Sequence, residues 1–339
     1  MFYVSECLSE VRMMEISSRH LSFFGLILFM LVLSQINVPA TIGMISSMHP
    51  IYILLCLVTV GMEVFLRSLR WKLLAGRFLR EYSVTDSFQT FIMGIAFGAV
   101  TPGRVGDIVK AFDLRDRGLK LDKALSVEIV DRLLDFFYIC IAASTGYVFV
   151  ILLISGSSYN ILLILLMAVM LASFTLILFS TRTTEFFMRP VQRFIIPDRF
   201  KGHSKRLLRE FHATLRVIHE PVFLMQLILL TAASWTILFL RPYILGEGVG
   251  VHFSMLSLLF VMPIVLMIEV LPISVLGIGT RDVGLVLLFS LLGVQAETMI
   301  AVSFMLLILS ILPQVALGYL IAYKKGVSLN LFTKDAGEG

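Results

Sequence analysis

Charged residues are scarce in this sequence. Lysine, arginine, aspartate and glutamate together make up 15% of the 339 residues, whereas a soluble domain carries about 25%. Hydrophobic residues reach 58%. This composition excludes a protein built from separate soluble domains. It predicts an all-α polytopic membrane protein, in which the bilayer divides the chain into spans of roughly 20 apolar residues.

Cysteines and catalytic motifs are also scarce. Cys7, Cys56 and Cys140 lack metal-ligand spacing, so neither a disulfide framework nor a metal site is expected. The sequence has no P-loop, no His-Glu-x-x-His, no Gly-x-Ser-x-Gly and no dinucleotide-binding glycine motif. We therefore expect no enzymatic activity and no cofactor. The net charge of +5 comes from basic residues in short loops, so nucleic acid is not an expected partner.

Apolar runs are the dominant feature that is present. They cover residues 20–37, 50–69, 85–100, 124–154, 159–181, 221–245, 253–271, 283–293 and 298–323. Lysine and arginine are concentrated in the connecting segments 67–82, 101–123 and 182–219 and in the tail from Lys324. The positive-inside rule places these basic segments in the cytoplasm, together with both termini. The expected location is therefore the cytoplasmic membrane.

Loop charge distinguishes full spans from hairpins. Both flanks of 85–100 are basic, which predicts that 85–123 enters and leaves the membrane from the cytoplasmic side. Both flanks of 253–293 lack basic residues, which predicts a second hairpin entered from the opposite face. Six full spans and two re-entrant hairpins result. The full spans are 20–37, 50–69, 124–154, 159–181, 221–245 and 298–323.

The order of these elements predicts an inverted repeat. Repeat one covers about 50–154 and repeat two about 221–323, within a membrane domain of residues 20–325. An N-terminal cytoplasmic segment (1–19) and a cytoplasmic tail (326–339) flank that domain. Inverted repeats with helices broken by glycine and proline indicate the binding sites of transporters, although both residues are also common in membrane helices in general.

An arginine and an aspartate lie beside the break in each hairpin. Arg104 and Asp107 occupy the first tip, and Arg281 and Asp282 the second. Guanidinium donors beside exposed helix ends suit a phosphate or another anion. The alternative is that each arginine pairs with its aspartate and only holds the tip together.

A stripe of charge follows at the start of the 124–154 span. Glu128, Asp131, Arg132 and Asp135 are spaced along one helical face. Charges within the membrane must be paired and face the interior. The stripe either binds a lipid headgroup or relays protons, or Glu128, Arg132 and Asp135 form a structural network. The surplus negative charge is expected to be balanced by the Arg104 tip.

Two further acids stand inside apolar runs. Glu63 precedes Arg67 and Arg70 in the 50–69 span, and these two arginines are interpreted as interfacial residues that reach lipid phosphates. Glu269 stands alone in the second hairpin. Both acids are candidates for charge balance or proton relay; the alternative for Glu269 is a protonated side chain bonded to a backbone carbonyl.

The basic connector 182–219 contains interspersed phenylalanines and is interpreted as amphipathic helices on the cytoplasmic membrane surface. The alternative is a solvated connector.

Four segments together carry a resemblance to a known family. They are RSLRWKLL at 67–74, PGRVGD at 102–107, DRLLD at 131–135 and PISVLGIGTRD at 272–282. With them the chain resembles the lysylphosphatidylglycerol synthase transmembrane-region family over roughly residues 20–325. Asp131 and Asp282 stand where many relatives would have glutamate. Full-length synthases carry a soluble aminoacyl-transfer domain after the membrane region, and this chain stops soon after Lys325, so lysyl transfer is not expected.

The resemblance implies a lipid flippase. Its substrate would be an anionic or phosphate-linked lipid, of phospholipid, polyprenyl-phosphate or hopanoid type. The alternatives are a membrane scaffold for a lipid-modifying synthase and an intramembrane lipid transferase. Expected partners are membrane lipids, with a lipid-modifying enzyme and a second copy of the chain as further candidates.

Overall fold

The computed structural model describes residues 38–155, 201–252, 254–269 and 276–326, and every regular element in this part of the chain is helical. The all-α class is confirmed. The elements are α1 (Val38–Ser46), α2 (Pro50–Gly76), α3 (Val84–Ala99), a 3-10 helix (Pro102–Ile108), α4 (Val109–Asp116), α5 (Leu121–Ser155), α6 (Lys201–Ile218), α7 (Pro221–Gly248), α8 (Met255–Glu269), α9 (Thr280–Ser290), α10 (Ala296–Met305), a π-helical segment (Leu306–Ile311) and α11 (Leu312–Lys324).

Four helices are long and apolar enough to cross a membrane. They are Pro50–Gly76, Leu121–Val150, Pro221–Gly248 and Ala296–Lys324, the last formed by α10, the π-helical segment and α11. Each matches a predicted full span. The other two predicted spans, 20–37 and 159–181, lie outside the described residues, as do the segment 1–19 and the tail beyond Gly326.

The first predicted hairpin is observed as a helical hairpin. A capping box between Ser83 and Asp86 begins α3, and the chain then turns back through the 3-10 helix into α4. Polar contacts join the two arms: Thr90 donates a hydrogen bond to Asp113, and Arg117 to Asp86. The backbones touch near the tip, where a Cβ on Gly106 would lie 2.1 Å from the carbonyl oxygen of Phe97. Glycine is therefore required there.

The second predicted hairpin is formed by α8 and α9. Gly284 in α9 lies against Val265 in α8, and the buried Leu258, Leu285 and Phe289 join the same apolar core. The described part of its tip has a left-handed backbone, with φ of 59° at Leu276 and 88° at Gly279. The tip residues 270–275 lie outside the described residues.

The two halves pack reciprocally. α2 runs along α7, α5 packs against α8, and α11 packs against α3. Glycines permit both cross-contacts: a Cβ on Gly146 would collide with the backbone of Phe260, and one on Gly318 with that of Ile92. Each hairpin thus packs against the long span of the other half. An inverted repeat predicts this pattern, and the repeat boundaries stay a prediction.

Two connecting segments form helices that pack against the spans. Residues 38–46, which lie between the predicted spans 20–37 and 50–69, form α1, which packs against α10. In the basic connector, α6 buries its apolar face against protein, with Phe211 and Leu215 in a core that includes residues of α5. Ser126 and Thr214 share a hydrogen bond of 2.7 Å across that contact. The apolar face of α6 is therefore covered by protein; residues 182–200 of the connector lie outside the described residues, and its place on the membrane surface stays a prediction.

Candidate functional site

Arg70 is a fully enclosed charge. It is 0% exposed although it lies only six residues before the end of α2. Its two terminal nitrogens donate to both oxygens of Asp135, at 2.7 and 2.9 Å. It also ion-pairs with Asp131 at 2.8 Å and donates to Thr231 of α7. A bidentate pair of this kind fixes the guanidinium in one orientation.

Lys110 of α4 is enclosed to the same degree. Its Nζ lies 2.8 Å from Glu128 and 2.9 Å from Asp131, both on α5. The rings of Trp71 and Phe91 flank the ammonium group at 4.4 and 5.1 Å. A buried lysine needs such partners because desolvation of its charge is costly. Lys110 thereby ties the returning arm of the first hairpin to α5.

Arg132 connects the hairpin tip to the same network. It ion-pairs with Asp107 of the 3-10 helix at 2.6 Å and donates to Glu128 at 2.9 Å. Its side chain is 33% exposed, so it borders both the buried network and the surface. This position suits a residue that both supports the tip and contacts a ligand.

The network extends to the middle of the spans through Glu63 and Arg241. Glu63 is the fourteenth of the 27 residues of α2, and it is in contact with Arg67 at 2.8 Å and with Arg241 of α7. Arg241 also donates to Ser310 at 2.7 Å. Ser310 lies in the π-helical segment, a geometry often found at functional positions. Charged contacts therefore reach from the basic end of the bundle to its centre.

Charge in this network is balanced without Arg104. Among the described residues, five carboxylates face five cations. The carboxylates are Glu63, Asp107, Glu128, Asp131 and Asp135, and the cations are Arg67, Arg70, Lys110, Arg132 and Arg241. The expectation that Arg104 balances the α5 acids is therefore wrong. So is the interfacial interpretation of Arg67 and Arg70, because α2, α5 and α7 supply their partners within the bundle.

Arg104 stands apart as a sixth, exposed cation. Its side chain is 53% exposed, and its ion pair with Asp107 is long, at 4.0 Å. Its backbone is left-handed, with φ of 57°, a conformation that is strained for a residue with a side chain. Such strain concentrates at functional sites. The tip presents a cation that its own hairpin does not neutralise.

Arg281 has the opposite environment. It is buried, and it donates from Nε to the Ser303 hydroxyl at 2.9 Å and from Nη2 to the Ser303 carbonyl at 3.3 Å. Asp282 accepts from the same hydroxyl and from the Gly279 backbone at 2.8 Å. Both side chains hold the second tip together. Glu269 is half-buried against Gly277 and makes no hydrogen bond or ion pair with another described residue.

The loops at the basic end of the bundle close the site from that side. Burial raises the pKa of Tyr82, whose hydroxyl accepts a hydrogen bond from Trp71 at 3.0 Å. Burial lowers the pKa of Arg117, but its hydrogen bonds and ion pairs with Asp86 and Asp113 have a larger effect, so its pKa lies above the usual value. These groups keep one protonation state near neutral pH, as structural residues do.

The structure thus unites most of the predicted residues and adds several that were missed. Glu63, Asp107, Glu128, Asp131, Arg132 and Asp135 belong to one network, whereas Arg281, Asp282 and Glu269 lie at the second hairpin. Lys110 and Arg241 were not anticipated. The sequence pointed to Arg241 as a candidate, since it is a lone charge within a long apolar run. It gave no such indication for Lys110, because this residue follows the tip in a basic segment.

Comparisons with known proteins agree with this architecture. The family model described as the lysylphosphatidylglycerol synthase TM region matches residues 20–318. A UPF0104 membrane protein of Methanothermobacter thermautotrophicus is 23% identical over 268 residues, covering 75% of this chain and 79% of that protein. A UPF0104 membrane protein of Pyrococcus horikoshii is 23% identical over 306 residues, covering 84% and 90%. This chain therefore belongs to the lysylphosphatidylglycerol synthase transmembrane-region family.

Proposed function

We propose that this protein is a lipid flippase that moves an anionic or phosphate-linked lipid across the cytoplasmic membrane. One observation carries the proposal: a network of ten buried or partly buried charges leads to the centre of the spans and ends beside the exposed, unneutralised Arg104. Both hairpins are re-entrant in this proposal, and both termini lie in the cytoplasm.

A headgroup needs a polar route through the hydrocarbon. A charged group at the centre of a bilayer costs about 2.5–3.5 kcal/mol even on insertion scales, so transport requires compensating charges at that depth. Glu63 and Ser310 lie at the midpoints of their spans, where transporters place their binding sites. The acyl chains would stay in the surrounding lipid while the headgroup follows the charged contacts.

The predicted site residues take distinct roles in this proposal. Arg104 and Arg132 contact the headgroup, because Arg104 is exposed at the first tip and the partly exposed Arg132 of α5 contacts that tip through Asp107. Arg281 and Asp282 position the second tip, since their bonds are made within the protein in this conformation. Glu269 and the network acids balance charge or relay protons as the hairpins move, and the protein itself catalyses no covalent step.

The test is a flipping assay with the full-length protein in liposomes that contain fluorescent phosphatidylglycerol. Arg104→Ala should abolish most of the protein-dependent flipping. Arg77→Ala is the matched control, because Arg77 is also a partly exposed arginine with one ion pair, to Glu220, but it lies at the basic end of α2. Equal flipping by both variants would refute the role of the tip. Lipid retention without flipping by wild type would favour a scaffold for a lipid-modifying synthase.

A further inference from the structure

We infer that Lys110 is a releasable anchor of the first hairpin. When this hairpin separates from α5, the charge network divides into two neutral sets, and no carboxylate of the bundle loses its last cation. Lys110 is therefore a positioning residue whose ion pairs break and re-form as the hairpin moves. That the motion admits a headgroup rests on the proposed function, whereas the motion itself is measurable without any lipid.

The charges of the network divide along the boundary of the hairpin. Among the ten, only Asp107 and Lys110 belong to the hairpin, one acid and one base. Without them, five carboxylates and five cations become four of each. Those that remain lie on α2, α5 and α7: Glu63, Glu128, Asp131 and Asp135, with Arg67, Arg70, Arg132 and Arg241. A hairpin that moves as a unit therefore leaves no net charge in the bundle.

The individual oxygens of the α5 acids divide in the same way. Lys110 Nζ lies 2.8 Å from Glu128 Oε2 and 2.9 Å from Asp131 Oδ2. The other oxygen, Glu128 Oε1, is bound by Arg132 at 2.9 Å. Asp131 Oδ1 is bound by Arg70 at 2.8 Å. Both carboxylates thus keep a cation when Lys110 leaves, so the large cost of an uncompensated buried charge does not arise on α5.

The side chain of Lys110 is packed mainly within its own hairpin. Its stem passes over Gly94 of α3, where an added Cβ would lie 2.8 Å from Lys110 Cγ. The Phe91 ring, 5.1 Å from the ammonium group, is also on α3. The Trp71 ring, at 4.4 Å, belongs to α2. The stem and one aromatic contact therefore move with the hairpin, and the ammonium group is the part that changes partners.

A second ion pair links the hairpin to α5, and its partners are also shared. Asp107 Oδ2 lies 2.6 Å from Arg132 Nη2. Arg132 retains Glu128 when this contact breaks. Asp107 retains Arg104 of its own tip, which is 4.0 Å away in the closed arrangement. Both links between the hairpin and α5 can therefore open without an unpaired carboxylate on either side.

The connections of the hairpin allow this separation. Gly118 joins α4 to α5 with φ of 98°, and no atom lies within 4 Å of an added Cβ. Hinges consist of a few such residues between elements. On its other side the hairpin is held by the second half: Gly318 of α11 meets the Ile92 backbone, and Lys325 pairs with Asp113 at 3.5 Å. The hairpin therefore moves away from α5 while it stays packed on α11.

The test is a distance measurement by double electron–electron resonance between spin labels on Val105→Cys at the tip and Ile141→Cys on α5, in full-length protein in detergent. Both positions are exposed, at 55% and 37%, so the labels leave the packing intact. Lys110→Met keeps the stem but removes the charge. It should raise the ratio of separated to closed hairpins about tenfold, as expected for one lost charge-assisted hydrogen bond. Lys123→Met is the matched control, because Lys123 pairs with Glu210 at 3.6 Å outside the network, and should give wild-type distances.

A second variant tests the other link independently of whether Lys110→Met folds. Asp107→Asn keeps the shape of the side chain but weakens the contact with Arg132, so it should also favour separation. Protein without the two introduced cysteines gives the background from the native thiols. Wild-type distances in both folded variants would overturn the anchor. Unfolding of both variants would overturn it as well, because a neutral division predicts that the bundle survives their loss.

The outcomes also distinguish the anchor from the proposed function. Separation in the variants without lipid flipping by wild type would overturn the flippase proposal and leave the anchor in place. Flipping by wild type with no separation in either variant would overturn the anchor and leave the flippase proposal in place.

Discussion

The two hairpins share a plan but differ in how their tips are held. In the first, Asp107 lies beside an arginine from α5 and the neighbouring Arg104 faces outward. In the second, Asp282 and Arg281 both turn inward onto the neutral Ser303. One tip therefore presents charge, and the other encloses it.

The spans that support the hairpins show the same contrast at matching positions. Arg70 and Arg241 each lie twenty residues after the proline that begins α2 or α7. Arg70 is held by Asp135 and Arg241 by Ser310, each fourteen residues after the start of its span. The first half has carboxylates where the second has hydroxyls. Because one fold accommodates both, the extra charge in the first half is not required by the architecture, which supports a functional role.

The largest expected effect comes from making the first half resemble the second. Asp135→Ser removes the carboxylate that binds Arg70 in bidentate fashion and should lower the free energy of unfolding by about 3–5 kcal/mol, because it leaves the buried network with five cations and four carboxylates. Ser310→Ala, its counterpart, should cost less, about 1.5–3 kcal/mol for one bond to a charged group. SDS unfolding in mixed micelles measures both. Equal losses would remove the distinction between the halves.

The hairpin arginines should separate stability from function. Arg281→Ala should destabilise the protein by about 1.5–3 kcal/mol, since the hydroxyl and carbonyl of Ser303 lose a charged donor. Arg104→Ala should change stability by less than about 0.5 kcal/mol, as expected for an exposed side chain, while it impairs flipping. Thermal unfolding and the liposome assay on both variants test this. Destabilisation by Arg104→Ala would contradict the exposed tip.

A pair of glycines tests the backbone packing of the hairpins. Gly106→Ala places a methyl group 2.1 Å from the Phe97 carbonyl oxygen and should cost about 1–3 kcal/mol through forced separation of the arms. Gly284→Ala comes no closer than 3.3 Å to a neighbour, the Val265 side chain, and should cost less. The same unfolding assay compares them, and a milder effect at Gly106 would show that the arms separate readily.

The smallest expected effect concerns backbone strain at the first tip. Arg104→Gly relieves the left-handed conformation and should leave stability unchanged or raise it by up to about 1 kcal/mol, while it removes the headgroup contact. Arg104→Ala provides the comparison, because it removes the same guanidinium but retains a Cβ. If Arg104→Gly were less stable than Arg104→Ala, the φ of 57° would carry no strain.

Much of the fold followed from local features of the sequence. Long apolar runs predicted the four described spans, and basic flanks around 85–100 predicted a hairpin that the structure shows. The acids of α5 were predicted to share a face because helical periodicity is a local property. Their partners were not predictable in this way. Asp135 and Arg70 are 65 residues apart, and Glu63 and Arg241 are 178 apart.

The sequence by itself determined the class of protein, the spans and the positions of the breaks, because hydrophobicity and backbone preference sum along the chain. Only the tertiary structure decided which charges are neutralised. Arg67 and Arg70 lie near a helix end and resemble interfacial residues, yet the rotation of α2 and the packing of α4, α5 and α7 enclose them. Ion pairing depends on the relative register of helices, which no single segment encodes, and that register left Arg104 exposed at the first tip.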